Sequence, residues 1–542
     1  MSAIHFPRKE LLLIIAIGFV TRLLVLASGS VTFHADEAVV GLMARHIVQG
    51  ETPTFFYGQA YMGSLDAYLV SIGFRLLGDS VNTIRLVQMA LYLLVVAVGY
   101  VVAWRFSGSG RIAFAAGLLL AVPTVNVTLY TTATLGGYNE TLLFGNLLLL
   151  LSYDVTHEHR YSRWRWVTLG FVGGLGWWTN GLIVAYALPV ALLLSYMLFI
   201  RRILPVRSAF GMFLLAVAAF LVGSAPWWIF DITHNGAAMS TFIRSQQTGE
   251  FAGIGIPYVP PLERALGLAV IGIPALLGMR FPWSAEYFLL PVGVIVLVGY
   301  GVAILRLFRG SNPLRPEARA LLLGMPLVFF MVFIASSFGA DPTGRYFLPL
   351  ALPLAIVLGT LVKWSDDGTQ TRLLRPSVIG LALLTIVIGY QAAAIIQAIR
   401  VQPPGLTTQF DLVSHLPNDD DMALMDFLDT EQLYNGYTNY WVAFRLAFLS
   451  GERMQYSAAL PYKTDLSYNT ADNRYPAYVE AVAQAERVAF ITTNLPALDA
   501  QLIALFEAQG LTYREAQIGV FHIYYDFEPV RPDFTNWSTM ID

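Results

Sequence analysis

Two adjacent carboxylates, Asp36 and Glu37, are the first residues in the chain whose types and spacing are suited to catalysis. They stand directly before an amphipathic stretch, residues 38–49, whose apolar side chains recur at helical spacing. One interpretation is that Asp36 caps this helix and Glu37 favours its positive end, an effect of about 0.5–2 kcal/mol. The other is that the two acids are catalytic. The two interpretations are compatible, because a cap also holds a carboxylate in place.

Cysteine is absent from the 542 residues. Disulfides, thiolate nucleophiles and cysteine metal clusters are therefore excluded, and catalysis must use carboxylates, His, Lys, Arg, Tyr, Ser or Thr. Further candidates for binding a substrate lie downstream of the acidic pair. Tyr61 and Asp66 belong to a Tyr- and Gly-rich stretch, residues 57–68, and Tyr138 and Glu140 follow Gly136-Gly137.

A carboxylate at membrane depth is costly unless it is paired or hydrated, so Glu140 is a functional candidate, with a hydrated acid at a helix start as the alternative. Arg345 and Tyr346 end the last short polar loop before a hydrophobic run. A guanidinium suits a phosphate leaving group. The alternative is an interfacial arginine that reaches toward lipid headgroups beside a tyrosine.

Other polar and aromatic groups have simpler explanations. Trp177-Trp178 and Trp227-Trp228 fit interfacial anchors, with stacking on a sugar as the alternative. His234-Asn235-Gly236 and Arg244 suit either substrate contact or a mobile polar loop. Asp419-Asp420-Asp421 is interpreted as a solvated turn, since no nucleotide-binding βαβ unit precedes it. His157-Glu158-His159 lacks the spacing of a helical zinc pair, so no metal site is assigned.

The composition indicates that lipid is the main solvent of the elements that position these residues. Hydrophobic residues make up 56% of the chain and charged residues 13%, against about 25% charged in soluble domains, and the mean hydropathy is +0.59. The net charge of −3 shows no basic excess, so nucleic acid is not an expected partner. About eleven transmembrane helices are predicted, at residues 11–28, 84–103, 112–128, 140–153, 166–180, 181–200, 208–228, 287–305, 320–336, 346–362 and 378–398.

The charge pattern predicts the orientation of these spans. Residues 11–27 are read as an uncleaved first helix rather than a signal peptide, and residues 265–280, interrupted by Gly and Pro, as interfacial or re-entrant. Lys and Arg concentrate in the loops on the side of the N-terminus, which is therefore expected in the cytoplasm. An odd number of spans then places the C-terminal segment, residues 401–542, outside the cytoplasm. Its strand-like stretches, Val488–Thr492 and Val520–Tyr524, predict a small α/β domain.

The polar loops carry a family resemblance. The acidic pair, a helix that ends at a glycine, the Tyr- and Gly-rich stretch and the entry Gly78-Asp79 to Arg85 resemble the GT-C glycosyltransferases, in particular the protein mannosyltransferase, aminoarabinose transferase and rhizobial lipopolysaccharide transferase group. The pattern covers about residues 30–90, and the hydropathy outline resembles the family to about residue 400. The resemblance implies a GT-C-like transmembrane domain, residues 1–400, whose first outer loop, about residues 29–83, is catalytic.

The same resemblance implies an inverting transfer of a sugar from a polyprenyl-phosphate donor in a membrane lipid environment to an acceptor lipid, glycan or protein outside the cytoplasm. Asp36 would take the proton of the acceptor hydroxyl, with Glu37 beside it. The expected location is the plasma membrane if the source is prokaryotic. No cofactor is assigned, and the resemblance leaves a divalent cation open. Two rival hypotheses are a transporter or flippase of lipid-linked glycans and a noncatalytic binding or assembly protein.

Overall fold

The computed structural model describes residues 6–157, 161–248, 259–308, 312–341, 343–363, 376–400, 405–409 and 414–534. The first 400 residues are almost entirely helical. A two-stranded antiparallel hairpin, β1 (Phe55–Phe56) and β2 (Gln59–Gly63), interrupts them. The helices of this part, in chain order, are α1 (Arg8–Ala27), α2 (Ala35–Gln49), α3 (Leu65–Leu77), α4 (Val81–Ser107), α5 (Gly110–Ala121), α6 (Val125–Thr132), α7 (Tyr138–His157), α8 (Arg163–Thr179), α9 (Val184–Ser195), α10 (Val206–Gly223), α11 (Ala225–Thr233), α12 (Ala237–Thr248), α13 (Pro261–Gly267), α14 (Ile273–Leu276), α15 (Leu290–Leu307), α16 (Pro316–Ala335), α17 (Ala351–Gly359) and α18 (Pro376–Arg400).

The protein is a multi-pass membrane protein. Within the described ranges, 8 helical segments are long and apolar enough to cross a membrane, or 9 if α5 and α6, bent by 66°, form one span. Each of them overlaps a predicted span. The predicted spans at residues 140–153 and 166–180 are the helices α7 and α8, which are not in that set, so the count of eleven stays a prediction. The stretch predicted as interfacial or re-entrant contains the short helices α13 and α14, joined by a π-helical turn.

A buried cation ties α1 to α6. Arg22 of α1 is 1% exposed, and its guanidinium donates to the Thr128 carbonyl oxygen and the Thr131 hydroxyl of α6 at 3.1 and 2.6 Å. It also lies over the ring of Tyr92, 3.8 Å from the centroid. A charge inside a span is stable only with such partners, so Arg22 ties α1 to the bent pair.

The C-terminal segment has the predicted α/β character. Its helices are α19 (Asp421–Thr430), α20 (Tyr440–Leu449), α21 (Pro476–Gln484) and α22 (Pro496–Ala508), and its strands are β3 (Asn435–Thr438), β4 (Gln455–Ala458), β5 (Ala489–Thr493), β6 (Thr512–Ile518) and β7 (Phe521–Glu528). The strand order is β4-β3-β5-β7-β6. Strand β3 is parallel to β4 and β5, whereas β7 is antiparallel to β5 and β6. The two predicted strands are confirmed as β5 and β7.

The first outer loop and the C-terminal segment share one hydrophobic core. It contains Val39 and Met43 of α2 together with Phe444 and Phe448 of α20. At Gly41 the helices come so close that a Cβ atom would lie 2.5 Å from Phe448 Cε2. A polar clasp adds to this packing, because Asn418 bonds both the amide and the carbonyl of Phe33, at 2.8 and 2.9 Å. The C-terminal segment therefore holds α2, and with it the acidic pair, in place.

Candidate active site at the start of helix α2

Helix α2 begins one turn earlier than its apolar pattern predicted, at Ala35, and it ends as predicted before Gly50, whose φ of 113° is left-handed. The prediction that Asp36 caps this helix is wrong. The cap is His34, whose Nδ1 accepts a 3.4 Å bond from the amide of Glu37. Burial lowers the pKa of His34, which keeps the imidazole neutral and free to accept. Asp36 lies inside the first turn, and its carboxylate is therefore available for other contacts.

Glu37 points into the protein. It is 0% exposed, and both of its oxygens lie 3.1 Å from the guanidinium of Arg85 on α4. Arg85 also donates to the Val31 carbonyl at 3.0 Å. Such a two-point ion pair is strong and directional. Arg85, the last residue of the Gly78-Asp79 to Arg85 motif, is thus the partner of Glu37. Their ion pair positions the first outer loop.

Asp36 points the other way, because successive helical residues are about 100° apart around the axis. It is partly exposed, and the hydroxyl of Tyr440 on α20 donates to its Oδ1 at 2.5 Å. Burial raises the pKa of Tyr440 well above its ordinary value, so the phenol stays protonated and acts as the donor. Asp36 is therefore a held carboxylate with an open side, which is the geometry required of a general base.

Charged residues of the C-terminal segment complete this environment. The guanidinium of Arg474 lies over the rings of Tyr440 and Phe56, 4.9 and 5.4 Å from the centroids, and it interacts electrostatically with Asp36. Burial raises the pKa of Asp472 to about 6, although Arg474 and Lys463 oppose the shift. The sequence analysis assigned no role to these groups, because they lie more than 400 residues further along the chain than Asp36 and no local motif marks them.

Three of the predicted binding residues, Tyr61, Tyr138 and Tyr346, line one cavity. Its walls are otherwise mainly apolar and come from α9 and α16. Tyr61 belongs to the hairpin that also carries Phe56, so the hairpin joins this cavity to the surroundings of Arg474 and Asp36. Such a cavity can hold an isoprenoid chain with its polar end toward Asp36.

Arg345, the predicted phosphate contact, lies beside this cavity and is partnered. Its Nε lies 2.8 Å from Asp341 Oδ2, and its guanidinium lies over the Tyr346 ring at 4.8 Å. Tyr346 itself lines the cavity. Arg345 thus lies near the cavity. A phosphate bound there would share the Arg345 guanidinium with Asp341.

Asp66 and Glu140, also predicted as binding residues, form a buried pair of their own. They are 2% and 1% exposed and interact with each other. Asp66 accepts bonds from the Gln88 amide at 2.7 Å and from the Thr134 hydroxyl. Burial raises the pKa of Asp66, whereas its hydrogen bonds from Thr134 and Gln88 oppose the shift. This pair links α3 to α7 and is not among the groups that line the cavity.

The tryptophans predicted at span ends pack against protein. Trp227 is 1% exposed and stands edge-on to Trp177, 5.8 Å between centroids. Trp178 Nε1 donates to the Thr54 carbonyl at 2.9 Å, next to the hairpin. His234 stacks on Phe230 at 3.9 Å, and the side chain of Arg244 lies outside the described residues. These rings therefore support the loop that carries Tyr61.

The motifs set aside in the sequence bond other side chains of the protein. Asp421, the last acid of the Asp419–Asp421 turn, begins α19 and lies 2.7 Å from the Arg445 guanidinium. His157 bonds Arg315 at 2.5 Å, and its neighbours Glu158 and His159 lie outside the described residues. In the part of the chain that the structure describes, no group of three or more His, Asp or Glu side chains is arranged to hold a metal ion. The divalent cation that the resemblance leaves open stays open.

Comparison with known proteins bears on this arrangement. Residues 64–230 match the family model "Dolichyl-phosphate-mannose-protein mannosyltransferase". The crystal structure of ArnT from Cupriavidus metallidurans bound to undecaprenyl phosphate superposes with a TM-score of 0.61 at 14% identity, over 97% of this chain and 100% of that one. The superposition shows that this chain shares the fold of ArnT. The predicted fold class, a polytopic helical membrane protein with a C-terminal sheet-containing region, is thereby confirmed.

Curated relatives that this chain matches include two undecaprenyl phosphate-alpha-4-amino-4-deoxy-L-arabinose arabinosyl transferases of Pseudomonas fluorescens. One is 26% identical over 344 residues, which is 62% of this chain and 52% of the relative. The other is 28% identical over 314 residues, 57% of this chain and 50% of the relative. The chain thus spans about half the length of the curated relatives it matches. The likeness to ArnT is one of fold, and the roles of individual residues rest on the geometry above.

Proposed function

We propose that this protein is an inverting glycosyltransferase of the GT-C type, which moves a sugar from a polyprenyl-phosphate donor to a lipid, glycan or protein acceptor. The names of the curated relatives support a donor of this class. The observation that carries the proposal is the juxtaposition at α2. A carboxylate held by Tyr440 and open on one side stands beside the hairpin whose Tyr61 lines an apolar cavity.

In the proposed reaction the isoprenoid chain lies in the cavity between α9 and α16, and its phosphate lies toward Asp36. The acceptor oxygen attacks C1 of the sugar from the face opposite the phosphate. The C1–O bond breaks, and the electron pair leaves with polyprenyl phosphate. Asp36 takes the proton of the acceptor hydroxyl as the new bond forms. Because one displacement occurs at C1, the configuration inverts.

Other residues have supporting roles in this proposal. Glu37 fixes the loop through Arg85. Tyr61, Tyr138 and Tyr346 contact the donor where its chain meets its headgroup. Arg345, beside Tyr346, contributes positive charge toward the phosphate. Asp66 and Glu140 hold α3 against α7, behind the cavity wall.

The proposed setting is the outer face of the membrane. The bias of Lys and Arg toward the loops on the side of the N-terminus supports a cytoplasmic N-terminus. The first outer loop and the C-terminal segment share a core and so lie on the same side. We therefore place Asp36 and residues 401–542 outside the cytoplasm, as two parts of one catalytic unit.

The test uses the full-length protein in detergent micelles. Undecaprenyl phosphate carrying 4-amino-4-deoxy-L-arabinose, followed by a panel of other sugars, is supplied with extracted membrane lipids as acceptors, and release of undecaprenyl phosphate is measured. We expect release by the wild type and a loss of about 10²–10⁴-fold in Asp36→Asn. Asp426→Asn, an exposed acid on α19, is the matched control and should retain the rate.

Asp36→Asn must also elute as a folded particle, so that a lost rate reports chemistry. A wild-type rate in Asp36→Asn would remove the proposed base. Binding of the donor without any release by the wild type would favour the noncatalytic binding protein.

A further inference from the structure

Arg474 lies near Asp36, and its contacts within the protein leave part of its hydrogen-bonding capacity unused. It lies in the turn between the short helix Thr470–Asp472 and α21. Its guanidinium lies over the ring of Phe56, from the first outer loop, and over the ring of Tyr440, from the C-terminal segment. Contacts of this kind hold the guanidinium through its cation–π attraction and use none of its N–H groups.

Two of those N–H groups are unused. Nε and Nη1 of Arg474 are buried and have no hydrogen-bond acceptor. Throughout the described ranges, no carboxylate oxygen lies within 4.0 Å of this guanidinium, although Asp36 and Asp472 are near enough to interact with it electrostatically. Buried polar groups in native proteins almost always have a partner, and the exceptions require an explanation.

Other buried or half-buried arginines of the chain show the contrast. Arg85 lies 3.1 Å from Glu37, and Arg445 lies 2.7 Å from Asp421. Each of these two is neutralised by a carboxylate of the protein, whereas Arg22, inside a span, is held by carbonyl and hydroxyl oxygens of α6. Arg474 has aromatic contacts but neither kind of acceptor at its Nε and Nη1, so an incoming anion would supply the missing partner.

The close approach of the hairpin to Arg474 has its own sequence requirement. Gly58 has a φ of 73°, and a Cβ atom built there would lie 3.2 Å from Arg474 Cα and 3.3 Å from its Cγ. Only glycine accepts both the left-handed backbone and this contact without strain. The turn of the hairpin therefore serves to seat Arg474 against Phe56.

The position of Arg474 identifies the source of the anion. Its charge interacts with Tyr61, which lines the apolar cavity, and with Asp36, the proposed base. A free phosphate has no need of an apolar cavity at this point, whereas a lipid phosphate has its chain to bury. The anion therefore enters with an isoprenoid tail.

We propose that Arg474 binds the phosphate of the polyprenyl-phosphate donor through its Nε and Nη1 groups, so that the C-terminal segment completes the active site. The inference rests on the proposed function, since it assigns a residue to the donor of that reaction. It adds a phosphate-binding residue from outside the membrane region, where the sequence had suggested only Arg345. The phosphate of the product remains in contact with the same guanidinium until the lipid leaves.

The experiment measures binding to the full-length protein in nanodiscs for three probes: undecaprenyl phosphate, undecaprenol and inorganic phosphate. We expect Arg474→Gln to weaken binding of undecaprenyl phosphate by about tenfold or more and to leave undecaprenol unchanged. Arg474→Lys keeps the positive charge but loses the planar guanidinium, so its affinity for undecaprenyl phosphate should lie between those of the wild type and Arg474→Gln. Arg531→Gln is the matched control, because Arg531 also lies over a tyrosine ring, Tyr437 at 6.0 Å, and bonds the Ala485 carbonyl.

A second measurement needs no variant. Phenylglyoxal modifies arginines, and mass spectrometry locates the adducts on the wild type. Undecaprenyl phosphate should protect Arg474, whereas undecaprenol should not. Equal modification of Arg474 with either lipid would overturn the inference even where Arg474→Gln fails to fold.

The outcomes separate this inference from the proposed function. A wild type that prefers undecaprenyl phosphate to undecaprenol, with the same preference in Arg474→Gln, overturns the role of Arg474 alone. Loss of inorganic phosphate binding in that variant, with lipid phosphate binding intact, overturns the lipid source. A wild type that does not distinguish the two lipids contradicts the donor class itself, and both proposals fail together.

Discussion

Two pairs of carboxylates, one at the start of α2 and one between α3 and α7, differ in what surrounds them. At α2 the pair is split, since Glu37 is closed by Arg85 and Asp36 faces Tyr440 with one side open. Between α3 and α7, Asp66 and Glu140 face each other, and both are buried. The sequence offers four similar acids, and the structure leaves one of them, Asp36, able to exchange a proton with a substrate.

The largest effect on the free energy of unfolding is expected at Glu37, which is buried and paired with Arg85, unlike the neighbouring Asp36. In Glu37→Gln the partly buried Arg85 loses its charged partner, which should lower the free energy of unfolding by about 3 kcal/mol. The measurement is denaturant unfolding of the purified protein in detergent. Asp79→Asn serves as the control, because the Arg45–Asp79 pair is more exposed, with Asp79 at 35%, and its loss should cost less than about 1 kcal/mol. Equal stability of Glu37→Gln and wild type would contradict a positioning role.

A smaller effect, dependent on pH, is expected at Asp472, which faces Asp36, Lys463 and Arg474. Its pKa is raised to about 6 in the folded protein, whereas about 3.9 is ordinary for an unfolded chain. Burial of the charge therefore destabilises the folded state increasingly as the pH rises from about 4 to about 6, and levels off above that. Relative to Asp472→Asn, the wild type should lose thermal stability over this range. If the melting temperatures of the wild type and Asp472→Asn changed equally from about pH 4.5 to 7.5, the raised pKa of Asp472 would be refuted.

The smallest effect on the reaction rate is expected at the buried pair, Asp66 and Glu140. Glu140→Gln replaces a buried carboxyl with a neutral amide of nearly the same size, so the packing around Asp66 is preserved. We expect the rate of polyprenyl phosphate release to fall by less than about tenfold. A loss as large as that of Asp36→Asn would show that the second pair reaches the substrate after all.

Much of the fold follows from sequence pattern, because membrane spans and strands leave local signals. Long apolar runs predicted the spans, and Val488–Thr492 predicted the strand β5. The start of α2 was wrong by one turn, since His34 is an unusual cap and its action depends on a burial that the local sequence does not show. Interfacial anchoring by tryptophans does not explain Trp227, which other rings bury.

Only part of the candidate site could be predicted from the sequence. Asp36 and the tyrosines stand near recognisable glycines and acids, and Tyr61, Tyr138 and Tyr346 converge on one cavity. Tyr440 and Arg474 lie more than 400 residues further along the chain than Asp36 and Phe56 respectively. Pairing across such a separation depends on the tertiary packing of α20 on α2, which no local pattern encodes.

The central claim is that a polyprenyl phosphate lies in the tyrosine-lined cavity with its phosphate toward Asp36. The most direct measurement is photocrosslinking of the full-length protein in membranes, with an undecaprenyl phosphate that carries a diazirine near the phosphate. The account predicts adducts on the hairpin, residues 55–63, and on the cavity walls of α9 and α16, with competition by unlabelled undecaprenyl phosphate. Adducts confined to α1 or α18, or labelling that unlabelled lipid does not reduce, would contradict it.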